Sequence, residues 1–306
     1  MISYQNIKNK SQWKSTIGLS EEKFCYLARI FGEVFESEFG ISISEKAKNL
    51  NKDFIFSTYK DCLFFTLFSI RNNLVFETLG FIFGIDSGLA QKNLKRFLPI
   101  LQKVLLQNGF LPKTEFNNIE EFTSYISAQK ELIIDVTEFT VQRPKDNEKQ
   151  KEMYIGKKKR HTVKKLVIAT KDKRIFFLGK IYPGKVHDFN ILQKEFSTST
   201  NWFEKLIVMI DLGFQGFQDK YQSLKNIIPF KKKRGKKGEI SSLTDAEKDY
   251  NKLLGKERVK VEHSIGGMKT FRLISERIRI KKTSLIDSIT TICAGLWNFN
   301  LNFTIL

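Results

Sequence analysis

The spacing of apolar residues changes roughly two fifths of the way along the chain. In the stretch from Gly18 to Ser37, apolar residues recur at helical spacing and fall on one face, which predicts an amphipathic helix. Ser20 is predicted to cap that helix, and Leu19 and Phe24 have the spacing of a hydrophobic staple. The first 125 residues are therefore predicted to form an all-α domain.

Three shorter helices are predicted between residues 59 and 101, ending near Ile70, near Phe83, and at Pro99 or just beyond. Asn73 is predicted to cap the second helix, and Asp86 or Ser87 the third. Two short helices joined by a turn at Gly84 satisfy the pattern of a helix-turn-helix.

The outer face of the third helix would then carry the DNA contacts. Gln91, Lys92 and Lys95 lie on that face, where they could reach bases and phosphates. The alternative is an ordinary three-helix bundle with a solvated lysine face.

Residues 126–306 have the composition of an α/β layer. Five segments rich in Ile, Val and Phe predict strands, at 131–139, 161–170, 174–184, 205–214 and 226–230. A helix is predicted at 187–196, a helix start with a capping box at Thr244 and Glu247, and an apolar helix at about 284–299. The basic segment 231–239 precedes the capping box. Strands interleaved with helices favour a mixed sheet flanked by helices.

The charge of the chain points to a polyanionic partner. Lys and Arg number 52 against 33 Asp and Glu, a net charge of +19, which suits nucleic acid first and an anionic membrane second. A lysine-rich proteome would also raise this count. The N-terminus lacks the apolar run of a signal peptide, and the longest apolar stretch, 62–70, is too short to span a bilayer. We therefore expect a cytoplasmic protein without a membrane partner or a small-molecule substrate.

Two aspartates end apolar runs that have the composition of buried strands. Asp135 ends "LIID" and Asp211 ends "LIVMID". Open α/β sheets keep their sites at strand ends, although a single aspartate there is more often a cap or a turn former.

A third acid, Glu262, lies inside a basic helix. Arg258, Glu262, Gly266 and Lys269 share one helical face by their spacing. The acid would hold a hard divalent cation, and the flanking cations, with Arg272 beyond them, would hold phosphates. The simpler interpretation is a surface glutamate paired with Arg258 or Lys269.

Together the three acids fit two-metal phosphoryl transfer, in which two cations stabilise the attacking and leaving oxygens. His187 and Asp188 are predicted either to orient these ligands without binding the metal themselves or to contact DNA. The alternative for this pair is an ordinary helix start.

Four blocks of the sequence resemble DDE transposases of bacterial insertion sequences, in the group with an N-terminal helix-turn-helix and a DDE superfamily endonuclease domain. The blocks are 135–164, 183–192, 211–216 and 258–272, and the last follows the pattern R–x3–E–x6–K. The likeness extends from about Leu19 to Asn302. Related transposases often have a tyrosine three residues before that arginine, where this chain has Gly255.

The resemblance implies an RNase H-like core in which Asp135, Asp211 and Glu262 hold two Mg²⁺ ions, with Mn²⁺ as a possible substitute. It also implies binding to terminal inverted repeats through the helix-turn-helix at about 59–101, followed by strand cleavage and strand transfer into target DNA. A homodimer is expected in the DNA complex. The basic segments 157–160 and 231–237 would contact the DNA backbone, with solvated charge as the alternative.

Two other functions stay open from the sequence. A transposase-derived DNA-binding regulator would no longer cut. The presence of all three acids argues against this alternative, because binding alone does not need them. A structure-specific RNase H-like nuclease would share the metal chemistry but would need no helix that reads sequence.

Overall fold

A computed structural model describes residues 2–49, 56–232 and 242–302, without the side chains of Ala47 and Asn49. The chain divides into two compact units, one formed by Met1–Leu111 with Met268–Leu306 and the other by Pro112–Gly267. The first unit includes the C-terminal segment and its N-terminal part ends at Leu111, whereas the sequence predicted a single boundary at 125/126. Within the described parts of the chain, no helix is both long and apolar enough to cross a bilayer.

The first unit is helical. After a short 3₁₀ turn at Tyr4–Asn6, its N-terminal segment contains the helices α1 Lys10–Ile17, α2 Glu21–Phe39, α3 Ile43–Asn49, α4 Tyr59–Asn72, α5 Phe76–Phe83 and α6 Ser87–Gln107. Ser20 caps α2 as predicted, accepting from the backbone N–H of Lys23. The predicted staple residues Leu19 and Phe24 are both buried.

Two of the predicted helix boundaries in this unit are wrong. α6 runs through Pro99 to Gln107, because buried residues on both sides of the proline pack into the unit and outweigh its missing N–H. Asn73 does not cap α5. It ends α4 in a left-handed conformation with φ 50°, which asparagine tolerates better than most residues.

The predicted pair of short helices joined by a turn is present. Asp86 caps α6 by accepting from the backbone N–H of Leu89, and Gly84 between the helices has φ +67°. Leu79 and Phe83 of α5 and Leu94 of α6 are buried.

The C-terminal segment completes the same unit with α12 Arg272–Ser275 and α13 Thr283–Asn302. Asn73 Nδ2 donates to Glu276 Oε2 at 2.8 Å, and Asn298 Nδ2 donates to the carbonyl of Phe110 at 2.9 Å. These bonds join residues that are far apart in sequence, so the unit needs both ends of the chain.

The second unit contains the predicted α/β layer. Its strands are β1 Glu131–Thr140, β2 Tyr154–Ile155, β3 Arg160–Ala169, β4 Ile175–Leu178, β5 Tyr182–Pro183, β6 Ile207–Met209 and β7 Lys225–Ile227. Its helices are α7 Ile119–Tyr125, α8 Asn147–Met153, α9 Asp188–Glu195, α10 Phe217–Lys220 and α11 Asp245–Met268. Short 3₁₀ turns follow β2 at Gly156–Lys158 and β6 at Leu212–Phe214.

The sheet is mixed, as predicted, with the order β2-β3-β1-β6-β7 and with β4 and β5 also paired to β3. β1 is antiparallel to β3 over eight residue pairs, whereas β6 is parallel to β1 and to β7. The segment predicted as one strand at 174–184 forms two, β4 and β5, which pair with β3 on either side of the break at Gly179.

The core of this unit lies on one face of the sheet. Leu132 and Ile134 of β1 pack there with Ile191 and Leu192 of α9. Because side chains alternate along a strand, Asp135 falls on the opposite face. The prediction that Asp135 ends its strand is wrong, since β1 continues for five residues to Thr140.

Candidate active site

Asp135 is a partly buried carboxyl group in the middle of β1. Its Oδ1 accepts from the backbone N–H of Val136 at 2.7 Å. The pKa of Asp135 is raised to about 6, mainly by burial and also by the negative charges of Asp211 and Asp188, against the opposing effects of the Val136 N–H and Arg258. Neighbouring negative charges of this kind favour a proton or a bound cation.

Asp211 follows β6 and begins the 3₁₀ turn Leu212–Phe214. Its Oδ1 accepts from the backbone N–H of Gly213 at 2.7 Å, so this aspartate is a cap as well as a candidate ligand. β1 and β6 are parallel, and Ile133 pairs with Met209, so Asp135 on β1 and Asp211 just beyond the end of β6 each lie two residues past this pair. The structure therefore brings together the two aspartates that the sequence singled out.

Asp188, the first residue of α9, also faces this site. Its Oδ1 accepts from Lys164 Nζ at 2.8 Å. Its Oδ2 lies 3.1 Å from the point that a Cβ on Gly213 would occupy, and Asp211 Oδ1 lies 2.9 Å from the same point. The neighbouring His187 precedes the helix, is exposed, and makes no capping bond through its side chain.

The long helix α11 places a cation beside the aspartates. Arg258 Nη2 lies 3.7 Å from Asp211 Oδ2, and its buried Nε has no hydrogen-bond partner among the described residues. Glu262 lies one helical turn further on and is exposed. Arg258 therefore pairs with Asp211, and not with Glu262 as the simpler interpretation of the sequence suggested.

The rest of the predicted basic face is divided. Gly266 is exposed, and a Cβ added to it would meet nothing within 4 Å, so the backbone there is open to a ligand. Lys269 lies one residue beyond the end of α11, so it does not extend the helical face as predicted. Lys269 and the exposed Arg272 belong to the first unit, whereas Arg258 and Glu262 belong to the second.

The donor chemistry of the site suits a hard divalent cation, because carboxylate oxygens are the ligands that Mg²⁺ prefers. Across the described ranges, however, no three of the His, Cys, Asp and Glu side chains are close enough together to hold an ion. Asp135 and Asp211 converge, and Glu262 would have to join them by a change of its own side chain or of α11.

The predicted DNA-contacting residues of the helical pair are accessible. Gln91, Lys92 and Lys95 are all exposed on α6. In the second unit, residues 157–160 are exposed, and Lys158 Nζ donates to Glu138 Oε2 at 2.6 Å. The other predicted basic segment, 231–237, lies outside the described residues from position 233 onward.

Sequence reasoning missed Lys164. Its signal was present, because "KK" at 164–165 interrupts an otherwise apolar strand, and charged residues are rarely buried without partners. Lys164 is nearly buried, with 12% of its side chain exposed, and donates both to Asp188 and to the carbonyl of Val186.

Comparison with known protein families places this site in a class. A family of DDE superfamily endonucleases matches residues 134–298, more than half of the chain, and includes Asp135, Asp211 and Glu262 in the matched range. The chain belongs to this family of DDE endonucleases.

A named relative narrows the class. The chain is 31% identical over 220 residues to the "Probable transposase for insertion sequence element IS702" of Microchaete diplosiphon, covering 71% of this chain and 73% of the relative. No solved structure matches the chain.

Proposed function

We propose that this chain is a transposase that binds the terminal inverted repeats of an insertion sequence and catalyses metal-dependent strand cleavage and strand transfer. The observation that carries the proposal is the convergence of Asp135 and Asp211 beside Arg258, one turn before Glu262 on α11. The family membership and the named transposase relative support it.

In this proposal the second unit is an RNase H-like nuclease core. Asp135 and Asp211 would hold the cations from the sheet, and Glu262 would complete the set from α11. Two Mg²⁺ ions, or Mn²⁺ in their place, would activate the attacking oxygen and stabilise the leaving oxygen when bound.

Arg258 would pair first with Asp211 and then, once a cation is bound, with a phosphate of the DNA. Without a cation its guanidinium offsets the charge of Asp211. When a cation takes over that task, Arg258 would be available to a phosphate oxygen of the DNA, and guanidinium groups bind phosphates well.

The remaining predicted residues would bind the DNA. We expect this binding to take place in the cytoplasm of the host cell. We propose that Gln91, Lys92 and Lys95 on α6 read the inverted repeat, and that residues 157–160, Lys269 and Arg272 contact the backbone of repeat or target DNA. A homodimer would hold the two ends of the element together.

The test separates cutting from binding. Asp135→Asn, Asp211→Asn and Glu262→Gln keep side-chain size but remove the negative charge that would hold a cation. We expect nicking of a labelled duplex with Mg²⁺ to fall by about two or more orders of magnitude in each variant, because each loss weakens stabilisation of one reacting oxygen. Gel-shift affinity should be equal to or slightly tighter than that of the wild type. The duplex would carry the inverted repeats that flank the gene.

The matched control is Glu257→Gln. Glu257 lies on the same helix, but its Oε2 accepts from Lys260 Nζ at 2.6 Å, away from the aspartates. This variant should nick at the wild-type rate. Unchanged nicking by Glu262→Gln would leave Glu262 as a surface residue, and sequence-dependent binding without cutting by the wild type would favour a silent regulator.

Repeat recognition has its own test on the full chain. Gln91→Ala should narrow the difference in affinity between the repeat duplex and random duplex, because an amide can bond a base edge. Lys95→Ala should weaken both about equally, since it would contact phosphate. Cleavage of random and repeat duplexes at equal rates by the wild type would instead favour a structure-specific nuclease.

A further inference from the structure

Asp188 is an acid beside the proposed site that the family's three-acid pattern does not use. Its carboxylate and that of Asp211 both approach Gly213, at 3.1 Å and 2.9 Å from the point that a Cβ there would occupy. A partly buried acid placed beside another is costly unless something holds it there. A group that stabilises the Asp188 carboxylate is therefore expected nearby.

Lys164 holds the Asp188 carboxylate in place. The Lys164 ammonium donates to Asp188 Oδ1 at 2.8 Å and to the carbonyl of Val186 at 3.0 Å. Lys164 is anchored in the middle of β3, where its backbone pairs with Glu138 of β1. With 12% of its side chain exposed, it is shielded from solvent far better than a surface ion pair.

The other oxygen of Asp188 is turned toward the loop that carries Asp211. A Cβ added to Gly213 would lie 3.1 Å from Asp188 Oδ2 and 2.9 Å from Asp211 Oδ1, both closer than ordinary contacts. Gly213 also donates its backbone N–H to Asp211 Oδ1. The missing side chain at Gly213 is what allows the two carboxylates to approach the same turn.

We propose that Lys164 and Asp188 act as a positioning pair for the cation site. Lys164 orients the Asp188 carboxylate against the Asp211–Gly213 turn, and the charge of Asp188 increases the affinity of the Asp135–Asp211 site for a divalent cation. The inference rests on the proposed function and assigns Asp188 a role beyond the three acids.

The physical basis is a division of charge among the groups. Arg258 faces Asp211 and Lys164 faces Asp188, so neither aspartate carries its full negative charge into the site. Asp188 has a largely buried counterion, Lys164 of β3, so it can stay beside Asp211 whether or not a cation is bound. Groups that orient ligands in this way typically change metal affinity or activity by about 10- to 100-fold when removed.

The test measures cation binding to the full-length protein without DNA. Mn²⁺ is titrated and free Mn²⁺ is followed by electron paramagnetic resonance for the wild type, Asp188→Asn, Lys164→Met and Lys164→Arg. We expect Asp188→Asn and Lys164→Met to raise the Mn²⁺ dissociation constant about tenfold. Lys164→Arg keeps the charge and should stay closer to the wild type.

A steric arm examines the same contact without changing a charge. Gly213→Ala should also weaken Mn²⁺ binding, because its Cβ would displace the Asp211 or Asp188 carboxylate. Gly156→Ala is the control, since a Cβ there meets nothing within 4 Å. Glu138→Gln is the control for the ion pair. It removes a 2.6 Å pair between β1 and Lys158 of the 3₁₀ turn Gly156–Lys158, and it should leave Mn²⁺ affinity unchanged.

The outcomes separate this inference from the proposed function. If Asp135→Asn abolishes Mn²⁺ binding but Asp188→Asn binds as tightly as the wild type, the positioning pair is wrong and the three-acid site stands. If the wild type shows no Asp135-dependent binding of Mn²⁺ and no metal-dependent nicking, both fail. Suppose that Asp188→Asn and Glu138→Gln lower the melting temperature equally, but only Asp188→Asn binds Mn²⁺ more weakly. That result supports the inference, because the loss of affinity then does not follow from the loss of stability.

Discussion

At the scale of single residues, Arg258 is the group of the site whose observed partner differs from the one that the sequence predicts. From its sequence spacing it should pair with Glu262 or contact DNA, but its guanidinium faces Asp211 at 3.7 Å. Its Nε is buried without a hydrogen-bond partner among the described residues, and a buried donor left unpaired costs about 1–3 kcal/mol. An incoming phosphate oxygen could satisfy that donor.

Two opposite effects are therefore expected from Arg258→Gln. Removing the cation that competes for Asp211 should tighten Mn²⁺ binding to the free protein by up to about tenfold. Nicking should nevertheless fall, because the phosphate contact is lost. Mn²⁺ titration beside the nicking assay checks both, with Lys260→Gln, which faces Glu257, as the control. Weaker Mn²⁺ binding by Arg258→Gln would show that Arg258 supports the site rather than competing for it.

At the scale of elements, the turn between α5 and α6 depends on one glycine. The carbonyl of Gly80 accepts from the backbone N–H of Ile85 at 2.9 Å, which closes α5 onto the chain entering α6. A Cβ at Gly80 would collide with the carbonyl oxygen of Ile85, a contact that backbone atoms cannot relieve without moving. The close approach of these two helices thus requires glycine at this position.

Gly80→Ala is expected to destabilise the full-length protein by about 1–3 kcal/mol, the usual cost of forcing an extra carbon into a packed region. It should also weaken binding to the repeat duplex, because the position of α6 would change. Gly255→Ala is the matched control in a helix. Nothing lies within 4 Å of its added Cβ, so it should be neutral or stabilise by up to about 1 kcal/mol. Thermal unfolding and gel shifts measure both, and equal melting temperatures would refute the steric argument.

At the scale of the whole molecule, the helical unit is built from both ends of the chain. A Cβ on Gly295 of α13 would meet Leu111 Cδ2 at 2.6 Å and Leu105 Cδ1 at 3.2 Å, so α13 packs closely against the end of α6 and the residues that follow it. α13 buries apolar side chains along most of its length, from Ile286 to Phe299. A fragment that stops after α6 would expose the surface that α13 covers.

We therefore expect a fragment of residues 1–111 to be unfolded or aggregated, although the sequence alone suggested a self-contained N-terminal domain of 1–125. Joining residues 268–306 to the end of the fragment through a flexible linker should restore a cooperative thermal transition, because the missing apolar surface is then buried. Circular dichroism during heating measures this. A cooperative transition in the shorter fragment would show that α13 is dispensable.

Local structure and the candidate ligands could be predicted from the order of residues along the chain. Periodicity and composition predicted the helical first part, the mixed sheet and the capped starts of α2, α6 and α11, because these depend on residues close together in the chain. Asp135, Asp211 and Glu262 stood out as acids in unusual settings, and their roles as ligands stay predictions.

Contacts between residues that are distant in sequence became visible in the folded chain. The fold joined residues 268–302 to the N-terminal helices, placed Asp135 in mid-strand beside Asp211, and set Arg258 on Asp211 and Lys164 on Asp188. Sheet pairing and helix packing fix such contacts, and no local pattern encodes the partner of a charge that lies tens of residues away. The ligands could therefore be proposed from the sequence, whereas the cations that balance them could be found only in the fold.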